Sequence, residues 1–422
     1  MSAQDTASTK WWFLAVASIG LFSNYYVYDA IGPLADMLNR QLGFSDLQVG
    51  TLNAIYSAPN IFLVLAGGVL VDRYGAGRVA FWTASISFFG AVISASFGEF
   101  MPMAIGRLFF GIGSETLIVA LSVMIAMRFG GHVVAFAMAL NLSIGRLGSY
   151  AADLSPIWAS AAYDLGWQGP LVVAAAFAGV AMLAAAVCWW FDVYRPAHNI
   201  LVDELSREKE QPFRWRDLIE FDRSFWYVAA LCVLFYSVVF PFRSTFAVKF
   251  FQHAQGQSLE AASIANSYVF VAAIILTPII GWLADRFGHR SLMMMVGSLL
   301  LPLSFVGLIA GEGGAWFTTG LLGVSFSSVP AIMWPALVKL VKPRLLGTAY
   351  GLLFMVQAIG LVAANVIAGA LNDSFGASAE YPLGYTPMLI FFAALACSAF
   401  VFAWLLWRRE IGPHGHGMEI PG

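Results

Sequence analysis

The chain has 422 residues, 60% hydrophobic and only 11% charged, with a net charge of −2 and a mean hydropathy of +0.77. Soluble domains carry roughly 25% charged residues, so the composition places the chain among membrane proteins, and no basic excess calls for nucleic acid. Cys188, Cys232 and Cys397 lie far apart in apolar runs, which argues against a disulfide framework or a metal cluster.

A spanning helix needs about 20 mostly apolar residues. The first such run, near 11–35, follows a single Lys10 and continues well past the length of a signal peptide. It reads as a retained span rather than a cleaved leader. Further runs fall near 50–71, 79–98, 102–127, 133–160 and 169–191. After them comes the longest polar stretch, "RPAHNILVDELSREKEQPFRWRDLIEFDR". Six more runs lie near 225–250, 260–284, 291–310, 314–338, 346–371 and 385–407. The expected fold class is all-α integral membrane, with twelve spans in two six-helix bundles. Residues 1–192 and 225–410 would form the bundles, 193–224 a linker and 411–422 a tail. The mixed charge and aromatics of the linker fit helices lying on the inner leaflet, or a plain solvated connection. With the N-terminus inside, most of the 22 lysines and arginines fall on the inner side. Outer loops keep Arg40 and, at the edge of a span, Lys249. Both termini are therefore expected in the cytoplasm.

The second span ends "GGVLVDRYGAGR" and the eighth "IGWLADRFGHR". Gly68, Asp72, Arg73 and Gly75 align with Gly281, Asp285, Arg286 and Gly288, an offset of 213 residues (281 against 68). Two such ends half a chain apart indicate a duplicated unit. As an inner gate, the first glycine would let helices approach closely, and the Asp and Arg would pair and part as the mouth opens. As simple anchors, the same charges would only hold the loop inside. The "DRYG" stretch resembles the loop signature of the major facilitator superfamily, whose layout is built from such parallel repeats.

Charges at membrane depth cost about 2.5–3.5 kcal/mol each on insertion scales, so each is a functional candidate. Asp29, in "NYYVYDAIGP", has Tyr25 and Tyr26 one turn back; it is a candidate proton site and, with Tyr25 and Tyr28, a candidate substrate-binding group, the alternatives being a partner for a tyrosine hydroxyl or a plain outer-end helix residue. Arg107, in "GRLFFGIG", resembles the superfamily's fourth-helix arginine, which the family ties to proton coupling; an outer-end helix cap is the alternative. Glu115 and Arg146 flank the hairpin turn near residue 131 at almost equal distances. At about 1.5 Å per residue both sit roughly 23 Å from that turn, where they can brace one another or hold a ligand. Arg243 follows Pro241 in the seventh span; it can neutralise a substrate carboxylate, and the residue reading leans to an outward, snorkelling side chain. Tyr236, Trp334, Gln357 and Asn365 are candidate cavity liners.

Several stretches resemble one branch of the superfamily, the lysosomal dipeptide carriers and their bacterial relatives: "YYVYDAIGPL", "LNAIYSAPNIFLVLAGGVLVDRYG", "GRLFFGIGSETL", "GRLGS", "VVFPF" and "WPALVKLVKPRLLGTAYGLLFMVQAIG". That resemblance implies that Glu115 and Arg146 engage the two ends of a peptide. A dipeptide carries an ammonium and a carboxylate, which one Glu and one Arg match; a zwitterionic amino acid matches nearly as well. The short outer loops and the N-terminus without an acidic dileucine signal favour a bacterial inner membrane. No nucleotide-binding loop, HExxH or Cys/His spacing is present, so no enzyme activity, cofactor or metal is expected, and gradients must drive transport. A proton-coupled exporter of drugs or organic anions is the alternative. The fifth span, "LNLSIGRLGSYAADLSP", lacks the glycine-proline pattern of drug antiporters, and the second and eighth spans lack the arginines of nitrate carriers. The expectation is alternating access by a monomer for a small polar solute, with protons as candidate coupling ions through Glu115, Asp29 or Arg107.

Overall fold

A bilayer offers no water to the backbone, so each segment must satisfy its own N–H and C=O groups, and helices do so. The computed structural model describes residues 7–129, 132–194, 221–311, 314–342 and 345–420, and the described residues contain helices and turns but no strand. Nine described helices are long and apolar enough to cross a bilayer, or ten if one pair of helices bent by 61° is counted as a single span. Two others, of 23 and 22 residues, are also of spanning length; they carry Asp29 and Arg146 and are less apolar. The set is consistent with the twelve expected spans.

Chain contacts divide the molecule into two compact units. The first comprises Met1–Phe44 and Ile55–Glu210, the second Ser45–Ala54 and Gln211–Gly422. Residues 45–54, the start of the second expected span, thus cluster with the second unit.

The first unit holds α1 (Ala7–Asp29), α2 (Ala35–Leu42), the later part of α3 (Asp46–Ser57), α4 (Asn60–Tyr74), α5 (Ala76–Ser96), α6 (Phe100–Arg128), α7 (His132–Asp153), α8 (Ser155–Trp158), α9 (Ser160–Asp164) and α10 (Gln168–Tyr194). Small residues set its packing, as expected where lipid supplies no hydrophobic drive between helices. A Cβ on Gly106 would come within 2.6 Å of the Gly90 carbonyl, and one on Gly113 within 2.2 Å of the Thr83 carbonyl, so α5 and α6 lie backbone to backbone. Gly148 of α7 abuts the Phe22 carbonyl of α1 in the same way. Two runs end earlier than their hydropathy suggests. α1 stops at Asp29 before the Gly32–Pro33 turn and the amphipathic α2, and α7 stops at Asp153 before Pro156; proline cannot continue a helical ladder from within.

The second unit contains α11 (Arg223–Pro241), α12 (Ala247–Gln255), α13 (Leu259–Phe287), α14 (Arg290–Ile309), α15 (Ala315–Leu340), α16 (Leu346–Ser374) and α17 (Thr386–Glu410). A π-helical turn, Phe242–Phe246, joins α11 to α12 directly after Pro241, where the missing N–H loosens the ladder. Lys249 is no loop residue. It sits in α12, 2% exposed, and its Nζ lies 2.5 Å from Asp46 Oδ1. Asn372 donates to the other Asp46 oxygen at 2.8 Å, and the Asp373 carboxylate accepts from the N–H groups of Asp46 and Leu47. Gly50 and Gly369 allow the close approach: a Cβ on either would reach a carbonyl oxygen at 2.4 Å, of Asn365 and Asp46 respectively.

The linker arginines Arg195, Arg207, Arg214 and Arg216, Lys209, and the interfacial helices expected there, lie outside the described residues, as does Arg344.

Candidate functional site

In the first unit the polar residues at depth gather around α1, α3, α4, α6 and α7. Glu115 projects from α6, and its Oε1 accepts a 2.8 Å hydrogen bond from the Tyr56 hydroxyl. Asn60 donates to the same carboxylate. Tyr56 also touches Ser114 Oγ at 3.2 Å, and Ser114 accepts from Asn24 Nδ2 at 2.8 Å. The resting partners of Glu115 are therefore a tyrosine and an asparagine on either side of the break at Ala58–Pro59. Proline forces that break, and the two side chains beside it turn toward α6.

Arg146 of α7 comes to the same place. The charges of Glu115, Arg146 and Asp29 all act on the Tyr25 hydroxyl of α1. Glu115, Arg146 and Tyr25 are half-buried, whereas Asp29 is 1% exposed. The Tyr28 ring lies 4.6 Å from the Tyr56 ring and continues the aromatic wall. Tyr26, by contrast, packs on Phe177 at 4.1 Å within the core.

Arg107 is buried and donates to the carbonyls of Val27 at 3.2 Å and Tyr28 at 3.3 Å, the last turn of α1. Its guanidinium lies 5.5 Å from the Tyr56 ring centroid and 5.4 Å from that of Phe110. The geometry is that of a cationic cap on carbonyls a helix end leaves open, and it also holds the ring whose hydroxyl holds Glu115.

In the second unit, Trp334 Nε1 donates to the Tyr236 hydroxyl at 3.0 Å, and Tyr350 donates to the Trp334 carbonyl at 2.9 Å. The Trp334 ring stacks on Phe354 at 4.7 Å and on Tyr350 at 5.9 Å. Gln357 lies 4.0 Å from Cys232 Sγ, and Asn365 accepts from Thr245 at 2.8 Å, which in turn accepts from Asn53. Arg243 does not snorkel. It is 2% exposed, with its guanidinium 3.9 Å from the Phe270 centroid and Nη1 donating to Ser244 at 3.0 Å. The π-helical turn rotates it inward, where the aromatic face of Phe270 offsets its desolvation.

The two signature ends repeat in backbone geometry. Gly75 and Gly288 both close their helices at positive φ, 84° and 71°, with N–H bonds to Val71 and Ala284. Only glycine takes these values without strain. Gly68 and Gly281 do not serve close helix approach, since a Cβ on either would meet nothing within 4 Å. Asp285 pairs with Arg290 at 3.0 Å, whereas Arg286 lies over the Trp282 ring and Arg73 over the Tyr74 ring.

Sequence reasoning missed Tyr56, Asn60, Asn24 and Ser114. The visible signal was "YSAPN": a Pro inside an apolar run, flanked by a Tyr and an Asn that such a run does not need.

Comparison with known proteins identifies the family. The family model described as Major Facilitator Superfamily matches residues 17–254 and 242–420. The human lysosomal dipeptide transporter MFSD1 is 30% identical over 407 residues, covering 93% of this chain and 85% of that protein. Its zebrafish (Danio rerio) counterpart is 29% identical over 408 residues, covering 93% and 86%. Among solved structures, a bacterial homologue of the human lysosomal transporter Spinster aligns with a TM-score of 0.77 at 16% identity, over 96% of this chain and 98% of that one. The chain belongs to the Major Facilitator Superfamily: it is a multi-pass membrane transporter and not an enzyme.

Proposed function

We propose that this transporter moves a small zwitterionic solute, a dipeptide or an amino-acid-like molecule, by alternating access across a bacterial inner membrane, with both termini in the cytoplasm. The observation that carries the reading is that Glu115 and Arg146, both half-buried, each lie near enough to Tyr25 for their charges to act on its hydroxyl. Glu115, held by two neutral donors, is free to take an ammonium; Arg146 takes a carboxylate. Curated relatives named as dipeptide transporters support the same chemistry. Asp29 and Glu115 are the proposed proton carriers, with Arg107 as a coupling group, because they are the carboxylates that the first unit holds at membrane depth. Tyr236, Trp334 and Gln357 line the solute's path in the second unit, and the two Asp-Arg-x-Gly ends gate its inner mouth.

The test is uptake into proteoliposomes of labelled L-alanyl-L-alanine, alanine and nitrate, with and without a proton gradient. Dipeptide uptake that Glu115→Gln and Arg146→Ala each reduce at least tenfold is expected. Full activity in both variants would sink the clamp.

A further inference from the structure

The last helix ends at Glu410, yet the ten residues after it fold back onto the second unit. Glu410 anchors them: its carboxylate accepts from the His416 N–H at 2.7 Å, faces the His416 ring at 2.9 Å, and accepts from Ser224 at 3.0 Å. The other His416 nitrogen lies 3.3 Å from Asp222, which Arg409 also binds. Lys339, at the end of α15, donates to the Gly417 carbonyl at 3.0 Å, and Met418 is 0% exposed. The segment then meets the second signature loop. The His289 and Arg290 N–H groups donate to the Glu419 and Met418 carbonyls, and Arg290 Nη1 donates to Ile420 at 3.1 Å. Glu419 accepts from the Ser291 N–H at 3.1 Å and from the Ser291 hydroxyl.

Among the described residues, the first unit meets the same need from within a helix. Its signature loop leads into α5, whose Gly77 N–H donates to Asp192 at 3.3 Å. Asp192 belongs to α10, the helix equivalent to α17, and lies 4.0 Å from Arg128 at the end of α6. The repeat offset of 213 carries Gly77 to Arg290 and Asp192 to position 405, which is Leu405. The second unit thus lacks an acid at that place in its last helix. Glu419 supplies the carboxylate at the helix start, and Lys339 supplies the basic contact from the neighbouring helix. Each open helix N-terminus leaves unsatisfied N–H groups and a partial positive charge, which a carboxylate answers.

We infer that residues 411–420 are a strap that completes the second unit, and that Glu419 is a positioning residue: it stands in for the missing counterpart of Asp192 and holds the Asp285–Arg290 loop in its working geometry. The role in turnover rests on the gate reading given above; the structural role does not.

Hydrogen–deuterium exchange of the full chain in nanodiscs separates the two. In Glu419→Ala, and in a chain ending at Gly412, amides of 289–291 exchange about tenfold faster or more, while those of 298–305 keep their rate. Glu419→Gln, which retains an acceptor oxygen, falls between. In the first unit, Asp192→Ala loosens the amides of 77–79 alike. Unchanged exchange at 289–291 in both tail variants would overturn the inference, and so would a uniform loosening of the whole second unit. Where the wild type transports labelled L-alanyl-L-alanine, Glu419→Ala lowers the maximal rate severalfold at unchanged KM; a raised KM with an intact rate would overturn the turnover role. A wild type that moves no dipeptide refutes the proposed substrate, and the exchange result still decides the strap.

Discussion

At the scale of single residues, the acid at the site is poised by neutral donors. Tyr56 and Asn60 hold Glu115, and Arg107 holds Tyr56 from above. A hydrogen bond to a charged group contributes about 1.5–3 kcal/mol, a factor of roughly 10 to 150 if it acts only during turnover. Tyr56→Phe should therefore slow solute uptake at least tenfold while the melting temperature stays within about 2 °C of wild type; an unaltered uptake rate would remove Tyr56 from the site. Asp222 offers a pH prediction. Partial burial pushes its carboxyl up, but the Arg409 guanidinium and the N–H groups of Arg223 and Ser224 outweigh that and hold it below the usual carboxylate range. Its stabilising share is therefore present above the ordinary pKa of about 3.9 and is lost as pH falls through and below that value. Thermal unfolding of the purified protein between pH 7 and pH 3 should show this loss, and Asp222→Asn should flatten it.

Among elements, closeness of backbones is what the helices are built for. Gly148→Ala sets a methyl 2.0 Å from the Phe22 carbonyl of α1, and such overpacking costs about 1–3 kcal/mol. Gly68→Ala meets open space and should leave the melting temperature within about 1 °C; a fall equal to that of Gly148→Ala would contradict the packing described. The start of α3 is held by charge as well. Removing one partner of a buried ion pair costs about 3–5 kcal/mol, because the other is left desolvated and alone. Lys249→Met should lower thermal stability sharply, and adding Asp46→Asn should recover most of it. Equal melting of the single and double variants would show that the pair is not coupled. Sequence alone placed Lys249 at an outer edge, because hydropathy cannot see a carboxylate 203 residues away.

At the scale of the whole molecule, the two units repeat one plan and differ in the carboxylate that meets the helix after the signature loop, Asp192 in the first and Glu419 in the second. The orientation is testable directly: green fluorescent protein fused after Gly422 should fluoresce in cells, and alkaline phosphatase fused after Phe44 should be active; the reverse pattern would invert the topology. What the sequence by itself determined is the membrane class, the span positions and the repeat. Each follows from local composition, a fixed rise per residue or an internal match. The two helix stops at Gly32–Pro33 and Pro156 were also legible in principle, since proline acts on its own neighbourhood. Only the tertiary structure decided which groups hold Glu115, that Arg243 turns inward, that Arg107 caps α1, and that the tail carries the carboxylate Leu405 cannot. Those are contacts between segments far apart in the chain, and burial, hydrogen-bond direction and charge compensation are properties of the packed whole rather than of any window of sequence.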